Sequence, residues 1–198
     1  MKVVIGIGNP GAEYEDTRHN VGYMAVEKAA AKLGATFGRS PYRAAAARGR
    51  RAGEEVTLLK PLTFVNLSGE TARLALKALG VKPAEGLLVV VDDADLEPGV
   101  VRFRAGGGAG GHNGLASIME AAGADFARLR IGIGRSDVRL RDHVLSQFAP
   151  EERDIMNAAV ETAADAVLDW VAKGLPYCQN VYNRKKRPDA AQQPQERS

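Results

Sequence analysis

Val3-Val4-Ile5-Gly6-Ile7-Gly8-Asn9-Pro10-Gly11-Ala12-Glu13-Tyr14-Glu15-Asp16-Thr17-Arg18-His19-Asn20-Val21-Gly22 is the stretch on which the reading of the chain turns. Val3 to Ile5 is a short apolar run that reads as a buried strand. Tyr23, Val26, Ala30 and Leu33 then recur at helical spacing, with Gly34 as the stop. Strand, loop and helix in that order open an α/β fold. The loop between them carries Asn9, Tyr14, Asp16, Arg18, His19 and Asn20. Loops leaving the end of a central strand are where α/β proteins place their sites. Gly6-x-Gly8-x-x-Gly11 also matches the dinucleotide fingerprint. That motif needs a helix opening at the glycines and an acid closing a second strand about 20 residues on. Here Pro10 sits inside the motif, Ala12 to Asn20 has no apolar helical stripe, and Glu27 falls within the helical segment. A nucleotide-cofactor oxidoreductase is disfavoured.

Downstream, the elements keep alternating. Ala44 to Ala47 has helix propensity but is bounded by Pro41 and Gly49, so its type stays open. Val56 to Leu59 reads as a strand ended by Pro61, and Gly53 before it suggests a hairpin. Residues 67–79 form a helix with Asn66 or Ser68 as its cap. Leu87-Leu88-Val89-Val90-Val91 is continuous and apolar, as in a strand buried on both faces, and ends in Asp92-Asp93. Val100 to Arg104 is a further strand. The glycine-rich run Gly106 to Gly111 leads through His112-Asn113 into a helix carrying Leu115, Ile118 and Met119. Leu129 to Gly134 is a strand and Arg135 to His143 a basic loop. Pro150, Glu151 and Glu152 open a helix that runs to Gly174. The expected fold is a single α/β domain over residues 1–183, with a twisted mixed sheet flanked by helices. Residues 184–198 are charged, Gln- and Pro-containing and non-periodic, and read as a disordered tail.

The 198 residues suffice for one sizeable core. Cys178 is the one cysteine, which excludes an internal disulfide and a cysteine-based zinc cluster. The chain starts with a strand rather than a signal peptide, and no apolar run is long enough to span a bilayer, so a cytoplasmic location is expected. The net charge is +3. Basic residues gather at Arg39 to Arg51, Arg102/Arg104, Arg135 to Arg141 and Arg184 to Arg187; the charge fits either a nucleic-acid partner or a soluble protein that happens to be basic.

His19 is the first candidate for chemistry. Asp92 closes a central strand whose end shares a sheet edge with the 8–20 loop. A carboxylate on Nδ1 would fix the tautomer and stabilise the imidazolium of a general base. There is no G-x-S-x-G elbow, so water is the expected nucleophile. A metal is not expected, since there is no H-E-x-x-H and no dense His/Asp cluster. Gly106 to Gly111 is either an anion cradle or a flexible connector, and it lacks the Lys-Ser/Thr pair of an NTP-binding loop. Asn9, Asn66 and Asn113 stand at strand-to-helix junctions, as caps or as amides for a substrate.

Five motifs across the chain carry a resemblance. Gly6-Ile7-Gly8-Asn9-Pro10-Gly11-Ala12-Glu13-Tyr14-Glu15 with Thr17-Arg18-His19-Asn20-Val21-Gly22 is the first. The others are Lys60-Pro61-Leu62-Thr63-Phe64-Val65-Asn66-Leu67-Ser68-Gly69, Asp92 to Gly99, Gly106 to Gly114, and Arg128 to Gly134. In this order, up to about residue 183, they resemble bacterial-type peptidyl-tRNA hydrolases. The resemblance implies a metal-free, cofactor-free cytoplasmic monomer. It would hydrolyse the ester between a peptide and the terminal ribose of tRNA. It also implies roles: His19 the base, Asp92 its orienting carboxylate, and Asn9 and Asn113 holding peptide and water. Tyr14, Phe64 and Asn66 would line the site, and Arg104, Arg130, Arg139 and Arg141 would meet tRNA phosphates. Ala94, Glu97 and Val65 depart from the residues common in the family, and the tail has no counterpart there. A non-catalytic RNA-binding relative is the rival reading. Asn9, His19, Asp92 and Asn113 argue against it, because an RNA scaffold has no use for a general base.

Overall fold

The sheet is built around β1 (Lys2–Gly6), which pairs in parallel with both β4 (Glu54–Pro61) and β5 (Leu87–Asp93). The computed structural model describes residues 1–184; the expected tail lies outside them from residue 185 on. The remaining strands are β2 (Gly38–Arg39), β3 (Ala44–Arg51), β6 (Val101–Arg104) and β7 (Ala127–Gly132). The strand order is β2-β3-β4-β1-β5-β7-β6. β7 extends the parallel centre from β5, while β2–β3, β3–β4 and β6–β7 pair antiparallel. The expected mixed sheet is therefore present. The undecided Ala44 to Ala47 stretch is strand, because β4 offers it a full ladder from Ala44↔Pro61 to Arg51↔Glu54. Ala52 and Gly53, both at positive φ, close the hairpin.

The helices are α1 (Val21–Lys32), α2 (Ser68–Leu79), α3 (Pro83–Gly86), α4 (Asn113–Ala122), α5 (Leu140–Val144) and α6 (Pro150–Tyr182). Strand alternation splits the core in two. Val4, Leu88, Val90, Leu129 and Ile131 pack with α1 and α6. Val3, Ile5, Val89 and Val91 pack with α2 and α4. That is why Leu87 to Val91 is apolar without a break. α6 continues past the expected stop: Gly174 (φ 78°) kinks it, and the second segment seats Cys178 in the core. Part of the expected basic loop is helical as α5, where His143 is buried. Among the described residues, no helix is long and apolar enough to cross a membrane.

One contact fixes the start of α1. A Cβ on Gly22 would stand 2.5 Å from the Ile7 carbonyl oxygen and 2.6 Å from that of Val90. Only glycine lets the helix begin directly on the ends of β1 and β5. The turn before it, including His19, is thereby held at the carboxyl edge of the sheet.

Candidate active site

The carboxyl ends of β1, β4, β5 and β7 open into a cleft of about 950 Å³, lined among others by Asn9, Tyr14, His19, Phe64, Asn66 and Asp92. Ligands in open α/β sheets bind at this edge.

His19 sits in a single turn (Arg18–Asn20) ahead of α1. Its Nδ1 lies 2.7 Å from Oδ1 of Asp92, and its Nε2 has no partner among the described residues. Burial works against the imidazolium, but the charge and hydrogen bond of Asp92 outweigh it and raise the pKa above the ordinary 6.5. Asp92 is 5 % exposed. Burial pushes its carboxyl up, yet the two neighbouring imidazoles, His112 and His19, prevail and hold it well below the usual carboxylate range. The second ring was not singled out by sequence. His112 places Nε2 at 3.0 Å from the same Asp92 oxygen, while its Nδ1 accepts from the N–H groups of Gly114 and Leu115.

The expected absence of a dense His/Asp cluster is thus corrected. His19, Asp92 and His112 bring three potential ligand atoms within 4.8 Å of one another. Their hydrogen bonding argues against a metal. A ligating histidine ordinarily donates from its other nitrogen, which raises its basicity. His112 Nδ1 accepts instead, so a metal on Nε2 would require stripping the ring of its only proton.

Asn9 is buried and oriented from several sides. Its backbone N–H donates to Asn20 Oδ1, its carbonyl accepts from Asn20 Nδ2, and its Oδ1 accepts the Val65 N–H at 3.1 Å. Neither expected cap works as such. Leu67 precedes α2 without a side-chain cap, and Ser68 Oγ donates to the Val65 carbonyl. The cap of α4 is His112, not Asn113. Asn66 and Asn113 are therefore spared capping and line the cleft. Tyr14 lines it from a turn of its own, and Phe64, 58 % exposed, stands at its rim.

Strand parity gathers the arginines. Val101 and Phe103 face the α6 side, which turns Arg102 and Arg104 to the other face, opposite Arg130 and Arg128. Arg104, Arg128 and Arg130 line the cleft, and Arg130 pairs with Asp93. Arg128, unassigned by sequence, is 2 % exposed and donates to the carbonyls of Gly107 and Gly108 at 2.5 and 2.6 Å. The glycine run is therefore held by its carbonyls rather than left as a slack connector. Arg141 lines the cleft from α5; Arg139, just before that helix, is exposed and does not. Of the other loop residues, Arg18 is structural. It forms a two-pronged pair with Glu152, and its backbone N–H donates to the Ser146 carbonyl. Cys178 is buried, and desolvation pushes its thiol up to about 12, so it supplies no nucleophile.

An imidazole backed by a carboxylate, with its second nitrogen open to a cleft, is built to move a proton on or off water. On this mixed sheet, such a site belongs to an α/β protein equipped for acid–base chemistry. The sequence profile described as Peptidyl-tRNA hydrolase matches residues 3–190, and the chain belongs to that family. A peptidyl-tRNA hydrolase of Caldanaerobacter subterraneus subsp. tengcongensis is 44% identical over 185 residues, covering 92% of this chain and 100% of its own. One from Syntrophomonas wolfei is 45% identical over 184 residues, with 92% and 100% covered. The crystal structure of peptidyl-tRNA hydrolase from Acinetobacter baumannii superposes with a TM-score of 0.85 at 38% identity, over 91% of this chain and 93% of that one.

Proposed function

We propose that His19 is the general base of peptidyl-tRNA hydrolysis in this chain, with Asp92 as its orienting carboxylate. Water is the nucleophile, activated at His19 Nε2. Asp92 accepts the Nδ1 proton, which leaves Nε2 unprotonated and stabilises the imidazolium once it forms. The water attacks the ester carbonyl between the peptide and the terminal ribose of tRNA. The ribose oxygen leaves and takes up the proton from His19. Asn9 and Asn113 hold peptide and water, and Tyr14, Phe64 and Asn66 flank the ester. Arg104, Arg130 and Arg141 meet phosphates from the cleft, with Arg139 outside it. Phosphate contacts position a nucleic acid without reading its sequence. The observation that carries this reading is the 2.7 Å His19–Asp92 bond with Nε2 facing the cleft. The rival RNA-binding reading has no use for it. Monomeric action in the cytoplasm without cofactor or metal completes the proposal and follows from the family resemblance.

The test is turnover of N-acetylated aminoacyl-tRNA. His19→Ala is expected to lose about 10²–10⁴-fold in kcat while still binding tRNA. Wild-type kcat/KM should fall on acidification through a limb above pH 6.5, because the raised imidazole must be neutral to accept a proton. A chelator should leave turnover unchanged. Full activity in His19→Ala would refute the assignment.

A further inference from the structure

His112 touches no reacting atom in the scheme above, yet it is joined to the base through one oxygen. We infer that His112 is a positioning residue that sets the proton affinity of His19 through the Asp92 oxygen the two rings share. The inference rests on the reading of His19 as the base.

The tautomer of His112 follows from its partners. Gly114 and Leu115 donate their N–H groups to Nδ1 at 3.1 and 3.3 Å. A nitrogen that accepts carries no proton, so the ring's proton is on Nε2. From there it is donated to Asp92 Oδ1 at 3.0 Å. Both nitrogens of His112 are committed, one to the first turn of α4 and one to the carboxylate. His19 commits only Nδ1 to that oxygen and keeps Nε2 for the cleft. The geometry thus decides which of two adjacent histidines is the base.

It also decides how strong that base is. A lone carboxylate would direct its full charge to the His19 imidazolium. Here Oδ1 accepts a second N–H, whose positive end draws on the same charge. The two rings stand 5.0 Å apart. The N-terminus of α4, capped by His112, adds positive potential on the same side. His112 therefore tempers the rise that Asp92 imposes. A base works best when its proton affinity matches the working pH, since too tight a hold leaves it protonated and idle. The groups facing His19 are Asp92 from β5 and His112 from the start of α4. The Arg18–Glu152 pair lies between its own turn and α6. Tyr14, Asp93, Asp95, Arg104, Arg128, Arg130, Arg135 and Arg141 line the rest of the cleft. All but His112 stay in place in the variants below.

Two substitutions separate the cap from the donor. Asn at 112 keeps an oxygen to cap α4 but is too short to donate to Asp92. Gln extends an N–H to about where Nε2 stands. The experiment titrates the His19 ring by NMR without substrate, then measures kcat/KM against pH on N-acetylated aminoacyl-tRNA. In His112→Asn, His19 should hold its proton about tenfold more tightly, moving the acid limb up by roughly one pH unit. The loss of activity should be deepest at low pH, with KM little changed, and His112→Gln should return both readings toward wild type. Coincident His19 titrations in wild type and His112→Asn would overturn the inference. So would a His112→Gln protein that behaves like His112→Asn. A His19→Ala protein with wild-type turnover would remove the base assignment alone, since the NMR titration reads the shared oxygen independently of catalysis.

Discussion

Asn9 is where residue-level chemistry is most constrained. Its Oδ1 is already taken by the Val65 N–H, so the amide is fixed with Nδ2 as its remaining group. Asn9 is therefore a donor, suited to a peptide carbonyl and unsuited to the free ammonium of an ordinary aminoacyl-tRNA. Asn9→Asp keeps the shape and the bond from Val65 but removes the donor. We expect kcat/KM on N-acetylated aminoacyl-tRNA to fall roughly 10–100-fold. Cleavage of the free aminoacyl form should change less, so the ratio between the two substrates narrows. An unchanged ratio would pass the discriminating role to Asn66 or Asn113. His19, Asp92 and Asn9 were legible in the sequence because each has a chemically distinctive side chain at the end of a recognisable strand. His112 was not, because its part depends on the α4 cap and on an oxygen twenty positions earlier in the chain. Arg18 looked like one more polar loop residue. Its burial comes from Glu152, and no local pattern announces a partner so far along the sequence.

That Arg18–Glu152 pair matters at the scale of elements. Its guanidinium is also stacked over Phe148, 4.8 Å from the ring centroid, and an isolated bridge joins Thr17 to Gln147. The turn carrying His19 is thus pinned to the segment between α5 and α6, and α5 is a wall of the cleft. Glu152 serves both ends, since it also accepts the Ala149 N–H that starts α6. The hydrogen bond from Arg18 holds its carboxyl below the ordinary range. A depressed carboxylate contributes stability above its unfolded-state pKa and loses it as pH falls through the folded value. Glu152→Gln should therefore cost about 3 kcal/mol near neutrality, because it leaves a buried guanidinium unpaired. The gap should close on acidification below the ordinary carboxylate pKa of 4.5. Denaturant unfolding at several pH values checks this, and a pH-independent gap would contradict the pairing argument. Which elements exist was mostly legible, but not the short β2 and α3, nor β3 or α5. Ala44 to Ala47 becomes strand only because β4 lies beside it, and α5 hides in a run whose charges suggested open loop.

At the scale of the molecule, the cleft divides its labour by strand parity. The proposed base and its carboxylate sit on the α1 side, and the arginines of β6 and β7 project from the face opposite α6. This predicts that substrate affinity and chemistry are separable. Arg104→Ala with Arg141→Ala, both exposed positions, should flatten the salt dependence of tRNA binding by about 0.7–0.9 in log–log slope for each phosphate no longer neutralised. Cleavage of a minimal ester without tRNA phosphates should be unaffected; an unchanged slope would remove these two from the interface. The sheet order has a further consequence, in the order of manufacture. β1 is the first strand made, yet it is the middle of the sheet, and its neighbours must wait for Val56 and then Leu87. α6, whose Ala163 and Val167 share the core with Val4, is completed after every strand. Pairings that close over such separations form slowly, and unpaired apolar strands invite association. A ribosome that stops between β5 and β7 leaves a fragment in which β5 has an open apolar edge and the arginines of β7 are missing. The core around Val4 is thus closed only once the last long helix has been made.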